Sequence, residues 1–354
     1  MKIKLAILEK DKSYLNRITT VFNTRYADKL EVYSFTELAN LMDTLKHSKI
    51  DIVVVSEDYE IDLSLLPPHC GFAYLVEETG IETYKGQRTI GKFQKAELIY
   101  KQLLSIFSDS GVSITSKNLS DDSISKVIWF TEASGGNGSS TMAVSFALKM
   151  TAMGKKILYL NLEEFGSCSY FFRGDAQFTF SDVIFALKSK NSNLSLKLES
   201  TVCRDQSGVY FFATAANSLD IHELTSEDIQ KLIQELKICS TYDYIVVDMK
   251  LDLSDKSMTM LNVSNNIVFI CDGSEIANNK LERAIETMEI LEEQEKIDVM
   301  DKISVIYNKF SNKTSNVLVN DKLVALGGVP RYEHALTLDV VEQLRVKNIF
   351  DRLI

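Results

Sequence analysis

The stretch KVIWFTEASGGNGSSTMAVSFALKM, residues 126–150, constrains this chain more than any other. KVIWFT (126–131) reads as a buried strand. SSTMAVSFALKMTAM (139–153) has small and apolar residues at helical spacing and stops at Gly154, a C-cap glycine. ASGGNGSST joins them. Gly135, Gly136 and Gly138, around Asn137, let backbone N–H groups turn inward without a side chain in the way. The following helix points free N–H groups and a partial positive charge at the same spot. Ser140 is placed for Mg²⁺ and Thr141 for a phosphate oxygen. The unit reads as a phosphate-binding loop, yet Ser139 stands where such a loop carries its lysine.

The chain around this loop has 354 residues, enough for two domains. Hydrophobic residues make up 45% and charged residues 25%, the balance of a soluble globular protein. A formal net charge of −10 argues against a nucleic-acid groove, which needs a basic face. The five cysteines and four histidines show no metal-ligand spacing, so the thiols are expected to be reduced and mostly buried, as in the cytosol. MKIKLAILEKDK reads as a strand rather than a signal peptide. No apolar run approaches the ~20 residues that span a bilayer.

Residues 108–125, SDSGVSITSKNLSDDSIS, are polar, and seven of the eighteen are serine. They read as a linker between residues 1–107 and 126–354. Before it, strand signals (2–8, 30–35, 50–55, 71–76) alternate with helical ones (12–25, 94–107). This predicts a parallel sheet with helices on both faces.

That order resembles the receiver domain of response regulators, a flavodoxin-like fold. Receivers have acids after the first strand, an aspartate acceptor ending the third and a lysine after the fifth. Here Glu9 and Asp11 follow the first strand, Ser56 takes the acceptor position and Lys92 the lysine position. A serine cannot form the acyl phosphate, so Ser56 is a degenerate phosphoacceptor. The domain is expected to dock or dimerise rather than to be phosphorylated.

Beyond the linker, KKILYLNLEEFG (155–166) reads as a strand ending in Asn161 and Glu163. YDYIVVDM (242–249) ends in Asp248, DKISVIYNKF (301–310) ends at Asn308 and Lys309, and LGGVPRYEHAL (326–336) follows. With the loop, this resembles the ParA/MinD class of P-loop ATPases, whose loop reads KGGxGKTT. The expected fold is α/β, two doubly wound parallel-sheet domains, receiver-like then P-loop NTPase. A receiver-like domain before such an ATPase resembles the TadZ/CpaE proteins of Tad (type IVc) pilus assembly.

The resemblance implies a nucleotide site formed by Ser134, Gly135, Gly136, Asn137, Gly138, Ser139, Ser140, Thr141, Asn308, Pro330 and Arg331. Asn308 would read the adenine edge, with Pro330 and Arg331 walling the base. Ser140 would bind Mg²⁺, with Asp248 contributing directly or through water, and Glu163 is the candidate for orienting the attacking water. Both family lysines are lost, to Ser134 and Ser139, and the aspartates of the second strand end are Asn161 and Glu163. Losing a charge-assisted hydrogen bond of ~1.5–3 kcal/mol weakens binding but leaves the backbone nest. Hydrolysis suffers more, because the lysines stabilise transition-state charge. Lys250 is either a substitute charge or a solvated surface lysine.

The expected function is therefore an ATP·Mg-binding, homodimeric scaffold with slow or absent hydrolysis. It would act in the cytoplasm, and partners would recruit it to the pole or inner membrane face. Tad pilus or polar proteins would dock on the receiver-like domain, and no direct nucleic-acid contact is expected. The alternatives are an active ParA/MinD-type positioning ATPase and a regulatory protein that binds no nucleotide. Phe171 and Phe172 beside Arg173 read either as core or as a contact patch. Residues 338–354 read as a packed final helix.

Overall fold

The computed structural model describes residues 2–78, 80–110, 125–189, 193–239 and 241–354. They form two compact units. The first holds the described residues through Ser110 together with those of Phe185–Thr201, and the second holds the rest. Of the expected linker, residues 111–124 lie outside the described residues.

The N-terminal stretch runs β1 (Ile3–Leu8), α1 (Lys12–Arg25), β2 (Leu30–Phe35), α2 (Leu38–His47), β3 (Ile52–Ser56), β4 (Gly71–Val76), β5 (Thr83–Tyr84), β6 (Gln87–Gly91) and α3 (Ala96–Asp109). The sheet order is β2-β1-β3-β4-β6-β5, parallel except for β5 against β6. The central strands β1, β3 and β4 are buried on both faces, which is why they read as unbroken apolar runs. Leu5, Ile7 and Val54 face a core shared with α1 and α3, whereas Ala6, Leu8, Val53 and Val55 face α2. Asp11 starts α1 by accepting from the backbone N–H of Ser13 at 2.8 Å. Helices cover both faces, as the expected doubly wound sheet requires. Among the described residues, β3 and β4 are joined through a 3-10 turn, Leu63–Leu65, and β4 and β6 through the short β5.

The second stretch runs β7 (Lys126–Thr131), α4 (Ser139–Ala152), β8 (Ile157–Asn161), α5 (Cys168–Phe171), α6 (Phe180–Lys188), α7 (Leu194–Thr201), β9 (Cys203–Arg204), β10 (Tyr210–Phe211), α8 (Ser218–His222), α9 (Ser226–Ile238) and β11 (Tyr244–Asp248). It continues with α10 (Asp255–Val263), β12 (Asn266–Cys271), α11 (Glu275–Glu295), β13 (Ile303–Phe310), β14 (Val324–Pro330) and α12 (Thr337–Arg345). One of these helices, α7, belongs to the first unit: Tyr100 of α3 donates its hydroxyl to Glu199 at 3.2 Å, and Lys197 donates to Ser105 at 2.9 Å.

The eight-stranded sheet has the order β14-β13-β12-β7-β11-β8-β10-β9, parallel except for β9 against β10. From β7 the chain moves out to β8; from β11 it crosses β7 to reach β12. The carboxyl end of β7 is therefore a topological switch point, the place where open α/β sheets bind ligands. Helix α4 is apolar nearly all round because it is covered twice. Phe146 meets Phe130 of the sheet at 5.5 Å between ring centroids and Phe350 of the C-terminal segment at 5.6 Å. Val341, Leu344, Phe350 and Leu353 are buried in the same core, so the C-terminal segment packs. Phe172 also goes to the core, against Tyr159 and Phe211, while Tyr170 stays exposed.

Candidate nucleotide-binding site

Strand register sets the level of the site. Asp248 pairs with Phe130 on one side and with Asn161 on the other, so the ends of β7, β8 and β11 meet where the loop begins. Gly136 and Gly138 take φ of +87° and +92°, a conformation L side chains rarely adopt. Gly138 also lies so close to the end of β13 that a Cβ there would sit 2.8 Å from Asn308 Nδ2.

The loop is braced by side chains. Asn137 donates through Nδ2 to the Ser134 carbonyl at 2.9 Å and to Ser134 Oγ at 2.7 Å. Asn308 is 3% exposed and donates to the Asn137 carbonyl at 2.7 Å. Lys309 donates to the Gly136 carbonyl at 2.6 Å. The Asn308 amide nitrogen is thus committed to the loop. Pro330 pairs in register with Phe310, two residues beyond Asn308, and Pro330 and Arg331 are both exposed. Ser139 begins α4 and is buried.

Three carboxylates, Asp248, Glu163 and Glu132, lie near enough to bear on one another. Asp248 is fully buried; its Oδ2 accepts from the Tyr159 hydroxyl at 2.6 Å and Asn161 Nδ2 at 3.3 Å, while Oδ1 has no hydrogen-bond partner. Burial, with the charge of Glu163 beside it, pushes the Asp248 carboxyl up to about 7 against the help of Tyr159 and Ser140. Glu163 is likewise raised by burial and by Glu132, with Lys250 and Ser140 opposing. Ser140 is thus beside both acids. Lys250 is largely exposed and lies 3.7 Å from Glu164.

These donors fit magnesium. They are hard oxygens, and one buried carboxylate oxygen is unsatisfied. Among the described residues no three of His, Cys, Asp and Glu could hold a metal by themselves. A magnesium here would take Ser140 and Asp248 and complete its shell with phosphate oxygens and water, the usual habit of that ion.

The most informative residue carries no motif. Glu132 reaches over the loop and accepts from the backbone N–H of Gly136 at 2.8 Å and of Asn137 at 2.9 Å. Sequence reasoning passed over Glu132, as it did Tyr159 and the bracing role of Lys309.

In the first unit, the receiver-type positions lie at the carboxyl ends of β1, β3 and β6. Lys92 Nζ lies 3.0 Å from Glu9 Oε2, with 4% and 1% of the side chains exposed. Burial opposes the Lys92 charge, but Glu9 and Glu77 outweigh it and hold the ammonium above its ordinary value. Ser56 is fully buried.

Residues 1–108 match the family described as TadZ-like, receiver domain, and residues 125–300 match the family described as AAA domain. The chain has the TadZ/CpaE-type architecture. A region matching the TadZ-like receiver is followed by one matching the AAA domain, each built on an α/β sheet. Among solved structures, the chain is similar to a ParA family ATPase from Chlorobium tepidum TLS, with 19% identity, TM-score 0.49, and coverage of 65% of this chain and 92% of that one. It is also similar to MinD in the MinC:MinD cell division complex of Aquifex aeolicus, with 16% identity, TM-score 0.47, and coverage of 62% and 86%. A cobyrinic acid a,c-diamide synthase from Mycobacterium smegmatis, solved with bound ADP and magnesium, has 12% identity, TM-score 0.44, and coverage of 62% and 93%. No curated protein matches the chain. Among the described residues no helix is long and apolar enough to cross a membrane.

Proposed function

We propose that this chain is an ATP·Mg-binding scaffold of Tad pilus assembly that dimerises with nucleotide bound and hydrolyses it slowly or not at all. The observation that carries the reading is the convergence of the Gly136 and Asn137 amides on a single anion, in a loop where Gly136 and Gly138 already hold left-handed backbone. Nests of this kind bind phosphate through main-chain dipoles and need no lysine. The base would lie between the end of β13 and Pro330–Arg331. Since Asn308 Nδ2 is engaged, its Oδ1 is the atom left to accept from an adenine amino group.

Slow hydrolysis follows from charge. Glu163 can orient a water, but Ser134 and Ser139 supply no cation for the charge that develops on the transferring phosphate. Lys309 is spent on a carbonyl and Lys250 on Glu164. For the dimer, the support is an open groove of about 770 Å³ beside the loop at Ala133, lined in part by Leu253 and Ile276, which are 71% and 72% exposed. Large exposed apolar side chains gathered in one groove, unlike ones scattered singly, fit an interface. The receiver-like unit would dock pilus or polar proteins, and the location is cytoplasmic, with partner-driven recruitment.

Sedimentation velocity of the full chain with ADP·Mg, ATP·Mg or neither tests this reading. A dimer boundary that grows with ATP·Mg is expected. A single unchanged monomer boundary in all three contradicts nucleotide-linked dimerisation.

A second reading, that the pocket binds no nucleotide, is favoured by one observation: Glu132 already fills the nest.

A further inference from the structure

Glu132 is the residue after β7, and its carboxylate grips the amides four and five residues downstream, one on each oxygen. Both contacts are short and charge-assisted. They engage two of the loop amides that the nucleotide reading assigns to phosphate. We infer that Glu132 is an internal stand-in for phosphate, an autoinhibitory anion that nucleotide must displace. This rests on the reading of the loop as a nucleotide site and names how that site is regulated.

Three features support displacement over permanent closure. First, the loop does not depend on Glu132 for its shape. Asn137 is tied to Ser134 and to the Ile270 carbonyl by its own side chain, and Asn308 and Lys309 hold the Asn137 and Gly136 carbonyls from β13. Removing the carboxylate leaves a framed nest with two open donors. Second, Glu132 is only half-buried, and its contact to Gly136 lies at the surface, so water can receive the carboxylate when it leaves. Third, its charge bears on both Glu163 and Asp248. Three acids around one loop repel a free triphosphate, whereas a triphosphate carrying a divalent cation meets oxygen donors that suit it. The stand-in therefore selects against nucleotide without metal and lowers affinity for nucleotide with it.

The test compares the full-length wild type with Glu132→Ala and the isosteric Glu132→Gln. Amide hydrogen exchange at Gly136 and Asn137 is measured without nucleotide, and ATP·Mg affinity by calorimetry. In Glu132→Ala the two amides are expected to exchange faster and ATP·Mg to bind roughly tenfold tighter, the scale of one charge-assisted contact no longer displaced. Glu132→Gln, which keeps the shape and loses the charge, is expected to fall between. Unchanged exchange overturns the inference whatever nucleotide does. Faster exchange with equal or weaker affinity overturns the competition and leaves the nucleotide site standing. Faster exchange with no nucleotide bound by any of the three proteins overturns the nucleotide reading, and the competition with it, while establishing Glu132 as the occupant of the nest.

Discussion

The hydroxyl of Tyr159 donates to Asp248 Oδ2 at 2.6 Å, and neither side chain is exposed to solvent. The bond satisfies one carboxylate oxygen and leaves the other, Oδ1, without a partner inside the core. An acid placed this way costs stability unless something cationic meets it, which a purely structural strand end would not require.

That cost is pH-dependent with a definite sign. The Asp248 carboxyl is raised in the folded protein to about 7 from 3.8. Between pH 4 and 7 the folded state keeps a proton that the unfolded chain releases, so stability falls as pH rises through that window. Asp248→Asn removes the penalty. At pH 8 without metal it is expected to stabilise the protein by about 2–4 kcal/mol, and at pH 4 by almost nothing. Urea unfolding at the two pH values checks this. Equal effects at both would mean Asp248 is not protonated in the fold.

Gly138 is held by both backbone and space. Gly138→Ala puts a methyl at φ +92° and 2.8 Å from Asn308 Nδ2, so it is expected to cost about 1–3 kcal/mol and to dislodge the brace between β13 and the loop. Gly135 has open space within 4 Å of an added Cβ and no positive φ. Gly135→Ala is therefore expected to stay within about 0.5 kcal/mol of wild type. Chemical denaturation of the pair reads the contrast.

Lys92 and Glu9 make the corresponding buried contact in the receiver-like unit. Lys92→Met leaves the Glu9 charge buried and is expected to cost about 3–5 kcal/mol, most of which Glu9→Gln restores in the double variant. Because Ser56 is fully buried and is no acyl-phosphate acceptor, incubation with acetyl phosphate should leave the intact mass unchanged. A phosphorylated species on Glu57 or Asp58 would show that the unit still works as a receiver.

How far the sequence reached follows from what kind of signal each residue leaves. The loop glycines were legible because a left-handed turn admits almost nothing else. The central strands were legible because burial on both faces writes an unbroken apolar run. Glu132 was not, since its role depends on a side chain folding back over a turn rather than on spacing within a motif. Tyr159 reads as one more apolar strand residue until the register pairs it with Val246, two residues before Asp248, and its hydroxyl reaches that carboxylate. For Asn308 the position was legible, but the bond from its amide nitrogen to the Asn137 carbonyl was not. A short helix such as α7 states that it packs but not which core it joins. Here it packs on α3 of the first unit, although it lies between strands of the second.

Binding of ATP to the purified full-length chain, titrated by calorimetry with magnesium and again with EDTA, bears most directly on the nucleotide site. One ATP per chain is expected with magnesium. Little or none is expected without it, because Glu132, Glu163 and Asp248 then face the triphosphate uncompensated. No binding in either condition, even with Glu132 replaced by Ala, would contradict a loop that holds phosphate by main-chain dipoles and a divalent ion alone.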